Sequence, residues 1–324
     1  MDRASVNSAV DAELTAGSTA GGVVLAYVRK QVLAIARYDP LVRRDAPDAV
    51  HQMRVATRRA RSALQAFGQI IDREATRSLG EELKWLAAEL GHARDSEVML
   101  ARLTAELAAV PPVLVVGPVQ ARITGHFTAE LAQAGQAALH ALDGPRYLRL
   151  RDDLDVLLAD PPLTPLAGRK AGKALVKPVR RTARRLQRAL AAVTAAEGHA
   201  HEDPAAEGRD TAMDSDTAMD RDTAMDRDTA IHEARKAAKR ARYAAEAALP
   251  ALGDQASRQA AQAKELQELL GDHHDSVVAR SVLRGLADQA RSVGEDTFTY
   301  GIMYGRQACA AAEIERELPH AGPG

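Results

Sequence analysis

Cysteine and aromatic residues are scarce in this sequence, and both shortages limit what the protein can be. Cys309 is the single cysteine among 324 residues, which excludes a disulfide framework and favours a reducing compartment. Aromatic residues make up 3% of the chain and hydrophobic residues 46%, so any core must consist of small and aliphatic side chains. The abundance of Ala, Leu, Arg and Glu favours packed helices.

Long apolar runs are also missing. The polar N-terminal residues do not resemble a signal peptide, and no run of about 20 residues is apolar enough to cross a bilayer. We therefore expect a soluble, cytoplasmic protein that has no membrane partner.

The formal net charge of −1 conceals an uneven distribution of charge. Residues 199–229 hold ten acids and three bases, a local charge of −7, so the rest of the chain carries +6. Residues 161–188 hold nine bases and no acid. A basic body of this kind with an acidic insert favours anionic partners.

Elsewhere hydrophobic residues recur at spacings of three and four, which predicts an all-α protein. The acidic insert repeats Asp-Thr-Ala-Met-Asp followed by Arg or Ser, a six-residue period that fits neither a helix face nor a strand. We interpret it as a disordered linker, either inert or competing as an internal polyanion for the basic surface. The predicted domains are, in order, a disordered N-terminus (1–19), a first helical repeat (20–160), a second helical repeat (161–317) interrupted by the linker (197–229), and a tail (318–324).

An internal repeat indicates that the chain contains two copies of one helical unit. The segment His51-Gln-Met-Arg-Val-Ala-Thr-Arg-Arg-Ala-Arg61 matches His232-Glu-Ala-Arg-Lys-Ala-Ala-Lys-Arg-Ala-Arg242 at an offset of 181 residues. A second pair of matching segments, 84–96 and 264–276, follows at an offset of 180. The same order and nearly the same spacing make a chance match implausible.

Helix boundaries are expected at glycines in the second pair of segments. Gly91 and Gly271 occupy matching positions and should each end a helix. Asp95 and Asp275 follow them and can cap the next helix in each copy.

Each copy carries a row of bases along one helix face, within an arc of about 80° at 100° per residue. Met53 and Ala60 lie on the opposite face of the first row, and Ala241 on that of the second. Helices facing solvent usually intersperse acids, yet residues 51–61 contain none. Two matched rows of like charge predict a polyanion site, because the planar arginine side chain suits phosphate oxygens. The rows are His51, Arg54, Arg58 and Arg61 in the first copy and His232, Arg235, Lys239 and Arg242 in the second, flanked by Arg59, Lys236 and Arg240.

Other bases extend the predicted site. Lys84 and Lys264 occupy matching positions, and each either extends the basic surface or lies free in solvent. A further stripe of bases at helical spacing, between residues 173 and 188, includes Arg180 and Arg184. This stripe has no counterpart in the first copy.

The histidine that opens each row could be a metal ligand, a phosphoacceptor, a donor to phosphate or a packed structural residue. Metal binding is disfavoured for His51 and His232, because neighbouring bases repel a cation and no carboxylate or second histidine follows at i+3 or i+4. Hydrogen bonding to phosphate, with protonation favoured by the anion, is the preferred interpretation. His273 and His274 are a more metal-like pair, but adjacent residues converge poorly on one ion. We expect no metal and no cofactor.

The duplicated pattern resembles the conserved histidine α-helical domain, the CHAD family. The resemblance covers residues 20–317 and rests on His-x-x-Arg-x-x-x-Arg-Arg-x-Arg, followed by Leu-Lys, Leu-Gly and Asp at residues 83–95. It implies two four-helix-type bundles, related by a pseudo-twofold axis, around a central basic groove or pore. It also implies that the row and flanking bases, with Lys84 and Lys264, bind inorganic polyphosphate without catalysis, in some members at polyphosphate granules. The acidic insert departs from the usual pattern of the family.

Two other functions stay open at this point. Phosphate contacts alone support binding to DNA or RNA, although the rows have few aromatic, Asn or Gln side chains for reading bases. A phosphotransfer or polyphosphate-hydrolysing enzyme would use His51 or His232, although no metal-binding carboxylates accompany the bases. The expected partner is therefore inorganic polyphosphate, with phosphate or sulfate ions as simpler occupants of the same site, and we expect no enzymatic activity.

Overall fold

The computed structural model describes residues 14–198 and 215–318, with side chains described for 14–195 and 227–318. These residues form helices joined by short loops, and their only β pairing is two isolated bridges, which confirms the predicted all-α class. None of these helices is both long and apolar enough to cross a membrane. The helices are α1 (Ala20–Val42), α2 (Ala49–Ala66), α3 (Arg77–Glu89), α4 (Gly91–Ala108), α5 (Val119–Asp143), α6 (Pro145–Ala159), α7 (Ala171–Ala174), α8 (Val176–Gly198), α9 (Ser215–Leu252), α10 (Asp254–Ser292) and α11 (Phe298–Glu317), with short 3-10 turns at Pro112–Leu114 and Pro165–Gly168.

Local sequence signals explain several helix boundaries. The Thr19 side chain accepts a hydrogen bond from the Gly22 amide and so caps the start of α1. Pro145 occupies the first position of α6, where its fixed φ suits a helix and its missing N–H costs nothing. Gly253 and Gly294 have φ values of 51° and 77°, and the helices α9 and α10 end at or just before them.

The helix break predicted in both copies occurs only in the first. A turn at Leu90 separates α3 from α4, whereas α10 runs from Asp254 to Ser292 through Gly271 without interruption. The prediction that Gly271 ends a helix, and that Asp275 caps the next, is therefore wrong. Asp95 is not a cap either, because α4 already begins at Gly91, with Leu90 at its N-cap position. A glycine inside a helix costs only about 1 kcal/mol, and Leu266 and Leu270 bury their side chains immediately before it.

Helix α9 begins at Ser215, inside the segment 197–229 that the sequence predicts to be a disordered linker. Ala, Met and Arg are good helix formers, and the helix is anchored further on by the buried Ile231. From Ser215 onwards the chain is helical, which corrects the predicted extent of the linker. The rest of the acidic segment (199–214) lies outside the described residues, as do most of the predicted N-terminal segment (1–13) and tail (319–324).

Three clusters of buried side chains hold the helices together. The largest joins α1, α2, α3 and α6 to alanines of α9. A second joins α4 and α5 to α10 and α11, and a third joins α8 and α9 to α10 and α11. The first two clusters contain residues of both copies, so shared cores position the helices of one copy against those of the other.

Alanine is the main packing residue of α9. Ala234, Ala238, Ala245 and Ala248 are all completely buried, and at 100° per residue they lie within an arc of about 80° on one side of the helix. Such small side chains allow neighbouring helices to approach closely. The apolar faces predicted behind the two basic rows are confirmed, because Met53 and Ala60 in α2 and Ala234 and Ala241 in α9 are all buried.

Candidate anion-binding site

A cleft of about 900 Å³ lies between α2, α3 and α4 of the first copy and α9 and α10 of the second. Both basic rows contribute to it. The structure therefore brings together side chains that are about 180 residues apart in the sequence. The sequence-predicted residues that line the cleft are His51, Arg54, Arg58, Arg61, Lys84, His232, Arg235, Lys236, Lys239 and Arg240.

The lining of the cleft holds nine Lys and Arg side chains and only three acids, Asp95, Glu233 and Asp275. Two of the acids are paired: Arg54 donates to Asp95 at 3.1 Å, and Lys236 donates to Glu233 at 2.7 Å. The positive charge of the lining is therefore not balanced by the protein's own groups.

Three half-buried bases of the cleft have no partner within the described chain. Arg58, Arg235 and Lys239 form no hydrogen bond or ion pair with any described residue, and Arg235 Nε is buried as well as unpartnered. A buried cation without a counter-charge is costly, because it has exchanged water for a medium of lower dielectric constant. These three side chains are therefore poised to gain free energy from an anion.

Burial, together with the neighbouring positive charges, shifts the pKa values of several cleft bases downward. Burial first, and then Arg58, Arg235 and Arg54, lower the pKa of Lys239 to about 6, against a smaller opposing effect of Asp275. Burial also lowers the pKa of Arg58 and Arg235, but arginine starts above 12 and keeps its proton. Lys239 is thus the base that gives up its proton at neutral pH.

Three histidines line the cleft, and the surrounding bases hold them neutral. Burial and then Arg94 lower the pKa of His51, and burial and then Lys236 lower the pKa of His232. Burial and then Arg235 lower the pKa of His274 to about 4. The protonation expected for His51 and His232 therefore requires an anion to offset the neighbouring charges.

Two sequence-predicted ligand residues, Arg59 and Arg242, lie outside the lining of the cleft and bind Glu246 instead. Their Nε atoms lie 3.3 Å and 2.8 Å from its carboxylate, to which Tyr27 also donates at 3.3 Å. We call these four residues the Glu246 cluster. The cluster joins α1 and α2 to α9, so it serves the packing of the two copies.

The identity of one residue explains why Arg61 lines the cleft whereas Arg242, its match in the second copy, does not. Glu246 follows Arg242 by one helical turn, but the matching position in the first copy is Gln65, which carries no charge. Arg61 therefore meets no acid there, and its Nε donates to the Gly80 carbonyl at 3.2 Å while the side chain lines the cleft.

The remaining three predicted residues are also outside the cleft lining. Lys264 is exposed and lies 3.5 Å from Glu268, whereas its match Lys84 lines the cleft. The helix break at Leu90 in the first copy has no equivalent in α10. Lys84 and Lys264 therefore occupy different places in the fold, although they match in the sequence. Arg180 and Arg184 are exposed on α8.

Five charged or histidine residues of the lining were not identified from the sequence as ligands: Arg94, Asp95, Glu233, His274 and Asp275. All but Glu233 lie in the second pair of matching segments, which is the signal that could have found them. Gly91 has a specific part here, because a Cβ at this position would lie 3.4 Å from Arg54 Nη2. The glycine lets the Arg54 side chain pass close to α4 and reach Asp95.

The adjacent histidines of α10 do not form a shared metal site. His273 is buried with its Nε2 2.7 Å from Glu315 Oε1, while His274 lines the cleft. Among the residues that the structure describes, no group of three or more His, Cys, Asp and Glu side chains is arranged to hold a metal ion.

Comparison with protein families agrees with this architecture. The CHAD domain profile matches residues 26–284, most of the chain and both basic rows. The chain belongs to the CHAD domain family. Two uncharacterized proteins of Mycobacterium tuberculosis, MT2285 of strain CDC 1551 / Oshkosh and Rv2226 of strain ATCC 25618 / H37Rv, are each 35% identical over 291 residues. The match covers 90% of this chain, which spans about half (50%) of the length of these relatives.

Solved structures share the CHAD fold across both copies. PptA from Streptomyces chartreusis superposes with a TM-score of 0.72 and 21% identity, covering 94% of this chain and 99% of that one. The CHAD domain from the plant Ricinus communis superposes with a TM-score of 0.63 and 26% identity, covering 96% of each chain. The fold that forms the cleft is therefore found in bacteria and in plants.

Proposed function

We propose that this CHAD domain binds inorganic polyphosphate in the cleft between its two copies and catalyses no reaction on it. The proposal is carried by one observation: Arg58, Arg235 and Lys239, from both copies, line one cleft without a hydrogen bond or ion pair to any described residue. Binding of polyphosphate in this cleft would also attach the domain to polyphosphate granules.

The charge balance of the cleft favours a chain of phosphates over a single phosphate. Nine bases exceed three acids by six, and they are spread over five helices. One phosphate ion contacts a few bases at most, whereas successive phosphates can each take charge-assisted hydrogen bonds from a different arginine or lysine. A polyanion that places several negative charges in the cleft would balance the excess of bases.

The carboxylates of the cleft favour binding without hydrolysis. Enzymes that cleave phosphoanhydrides generally hold metal ions on clustered carboxylates. Here Asp95 is bound by Arg54 and Glu233 by Lys236, which leaves Asp275 as the one carboxylate of the lining that could bind a cation, too few for a cluster. We therefore expect the cleft to bind the polyphosphate chain without cleaving it.

A competition assay tests the proposal against nucleic-acid binding. We expect duplex DNA, at equal phosphate concentration, to displace fluorescent long-chain polyphosphate at least tenfold less effectively than unlabelled polyphosphate, measured by anisotropy. The reason is that a duplex is too wide to place several phosphates in a 900 Å³ cleft. Equal displacement by DNA would overturn the proposal, and release of phosphate in the presence of magnesium would show catalysis.

A further inference from the structure

Lys239 combines three properties that are rarely found in one lysine. It is half-buried in the lining of the cleft, it has no hydrogen bond or ion pair with any described residue, and two arginines, Arg58 and Arg235, are its strongest charged neighbours. The groups that act on it come from α2 (Arg54 and Arg58), from its own helix (Arg235) and from α10 (Asp275).

We propose that Lys239 is an acylation site, at which small acyl phosphates modify the amine directly. The cleft supplies both requirements of the reaction: an unprotonated amine to attack the acyl carbon, and guanidinium groups to bind the phosphate that leaves. No second protein is needed for the step.

The amine is a nucleophile at neutral pH because of its surroundings. A lysine attacks a carbonyl only in its unprotonated form, and an ordinary lysine with a pKa near 10.4 is almost fully protonated at pH 7.5. Burial and the adjacent arginines lower the pKa of Lys239 to about 6, so nearly every molecule carries the reactive form.

The arginines select the donor. An acyl phosphate carries its electrophilic carbon one atom away from a phosphate, the group that Arg58 and Arg235 are suited to bind. Lys239 Nζ forms a bond to the acyl carbon, the bond from that carbon to the phosphate oxygen breaks, and the proton of the amine ends on the departing inorganic phosphate. The product is an uncharged N-acyl-lysine.

Acylation would also control the cleft. An acylated Lys239 could no longer take up a proton when a polyanion binds, and the acyl group would occupy part of the cleft, so acylation would weaken polyphosphate binding, a consequence that rests on the proposed function. The acylation itself does not depend on polyphosphate, so the two ideas can fail separately.

The test is acetylation of the full chain by acetyl phosphate at pH 7.5, followed by mass spectrometry of each lysine peptide over time. We expect Lys239 to react at least ten times faster than two internal controls, exposed Lys264 and Lys236, which donates to Glu233. The rate at Lys239 should rise about tenfold per pH unit up to about pH 6 and level off above it. Equal rates at Lys239 and Lys264, or a rate at Lys239 that keeps rising to pH 9, would refute the proposal.

Further experiments test the role of Arg58, the recognition of the phosphate group of the donor and the binding of polyphosphate separately. The variant Arg58→Gln should slow acetylation about tenfold at Lys239 but not at Lys264, and its circular dichroism spectrum should match that of the unchanged protein, which shows that the variant is folded. With p-nitrophenyl acetate, a donor without phosphate, the preference for Lys239 should fall; an unchanged preference would exclude phosphate recognition. If long-chain polyphosphate fails to protect a lysine that is otherwise acetylated selectively, the proposed function is wrong and the acylation site stands.

Discussion

Replacing Arg58 and Lys239 together by alanine is expected to weaken the binding of long-chain polyphosphate by a factor of about 100 or more. Hydrogen bonds to charged groups contribute about 1.5–3 kcal/mol each, and a tenfold change in affinity corresponds to about 1.4 kcal/mol. The two side chains come from different copies and have no partner within the described chain, so their interactions are fully available to the ligand. Titration by isothermal calorimetry at fixed salt measures the loss.

The matched control for this variant is Arg180→Ala with Arg184→Ala. It also removes two bases, but from the exposed face of α8 outside the lining of the cleft. We expect its affinity to stay within about threefold of the unchanged protein, because exposed charges are screened by salt. Equal losses in the two variants would mean that binding follows total charge, and the cleft would then not be the site.

The replacement Glu246→Ala is expected to lower the free energy of unfolding by about 3 kcal/mol. Removing one partner of a poorly solvated ion pair leaves the other charge uncompensated, and here two arginines, Arg59 and Arg242, lose their ion-pair partner at once. Tyr27 loses the acceptor of its hydroxyl as well. Because these residues join α1 and α2 to α9, the loss should appear in unfolding of the whole domain by urea.

The control for Glu246→Ala is Glu268→Ala, which breaks the pair with Lys264. Both members of that pair are more than half exposed, and such pairs contribute less than about 1 kcal/mol. A loss for Glu246→Ala no larger than that for Glu268→Ala would contradict the structural part assigned to the Glu246 cluster. Arg59 and Arg242 would then again be candidates for ligand binding.

The fold class and most of the cleft could be predicted because both depend on periodicity along single helices. The spacing that places Arg54 and Arg58 on one face also places Met53 and Ala60 on the other, and the structure buries only the second pair. Duplication of the pattern added the expectation of one shared ligand path, and both rows do line one cleft.

The misplaced residues depend on partners that periodicity does not show. Arg242 lies on the same helix face as the second row, but its side chain donates to Glu246, an acid whose counterpart in the first copy is Gln65. Arg59 reaches the same acid from another helix, a tertiary contact that no local pattern encodes. Gly271 shows a third case, since buried neighbours override its weak preference to end a helix.

The charge states in the cleft also could not be predicted residue by residue. Read along α9, Lys239 is an ordinary base in a basic row. Burial first, and then Arg58 of the other copy together with Arg235 and Arg54, lower its pKa to about 6. Function at this site therefore depends on the packing of the two copies as well as on the rows themselves.

The most direct measurement is a crystal structure of the protein with a polyphosphate of about ten phosphates. We expect the polyphosphate chain to lie between α2 and α9, with phosphate oxygens about 3 Å from the side chains of Arg58, Arg235 and Lys239. Phosphates bound along Arg180 and Arg184 on the outer face of α8, with none in the cleft, would contradict this expectation.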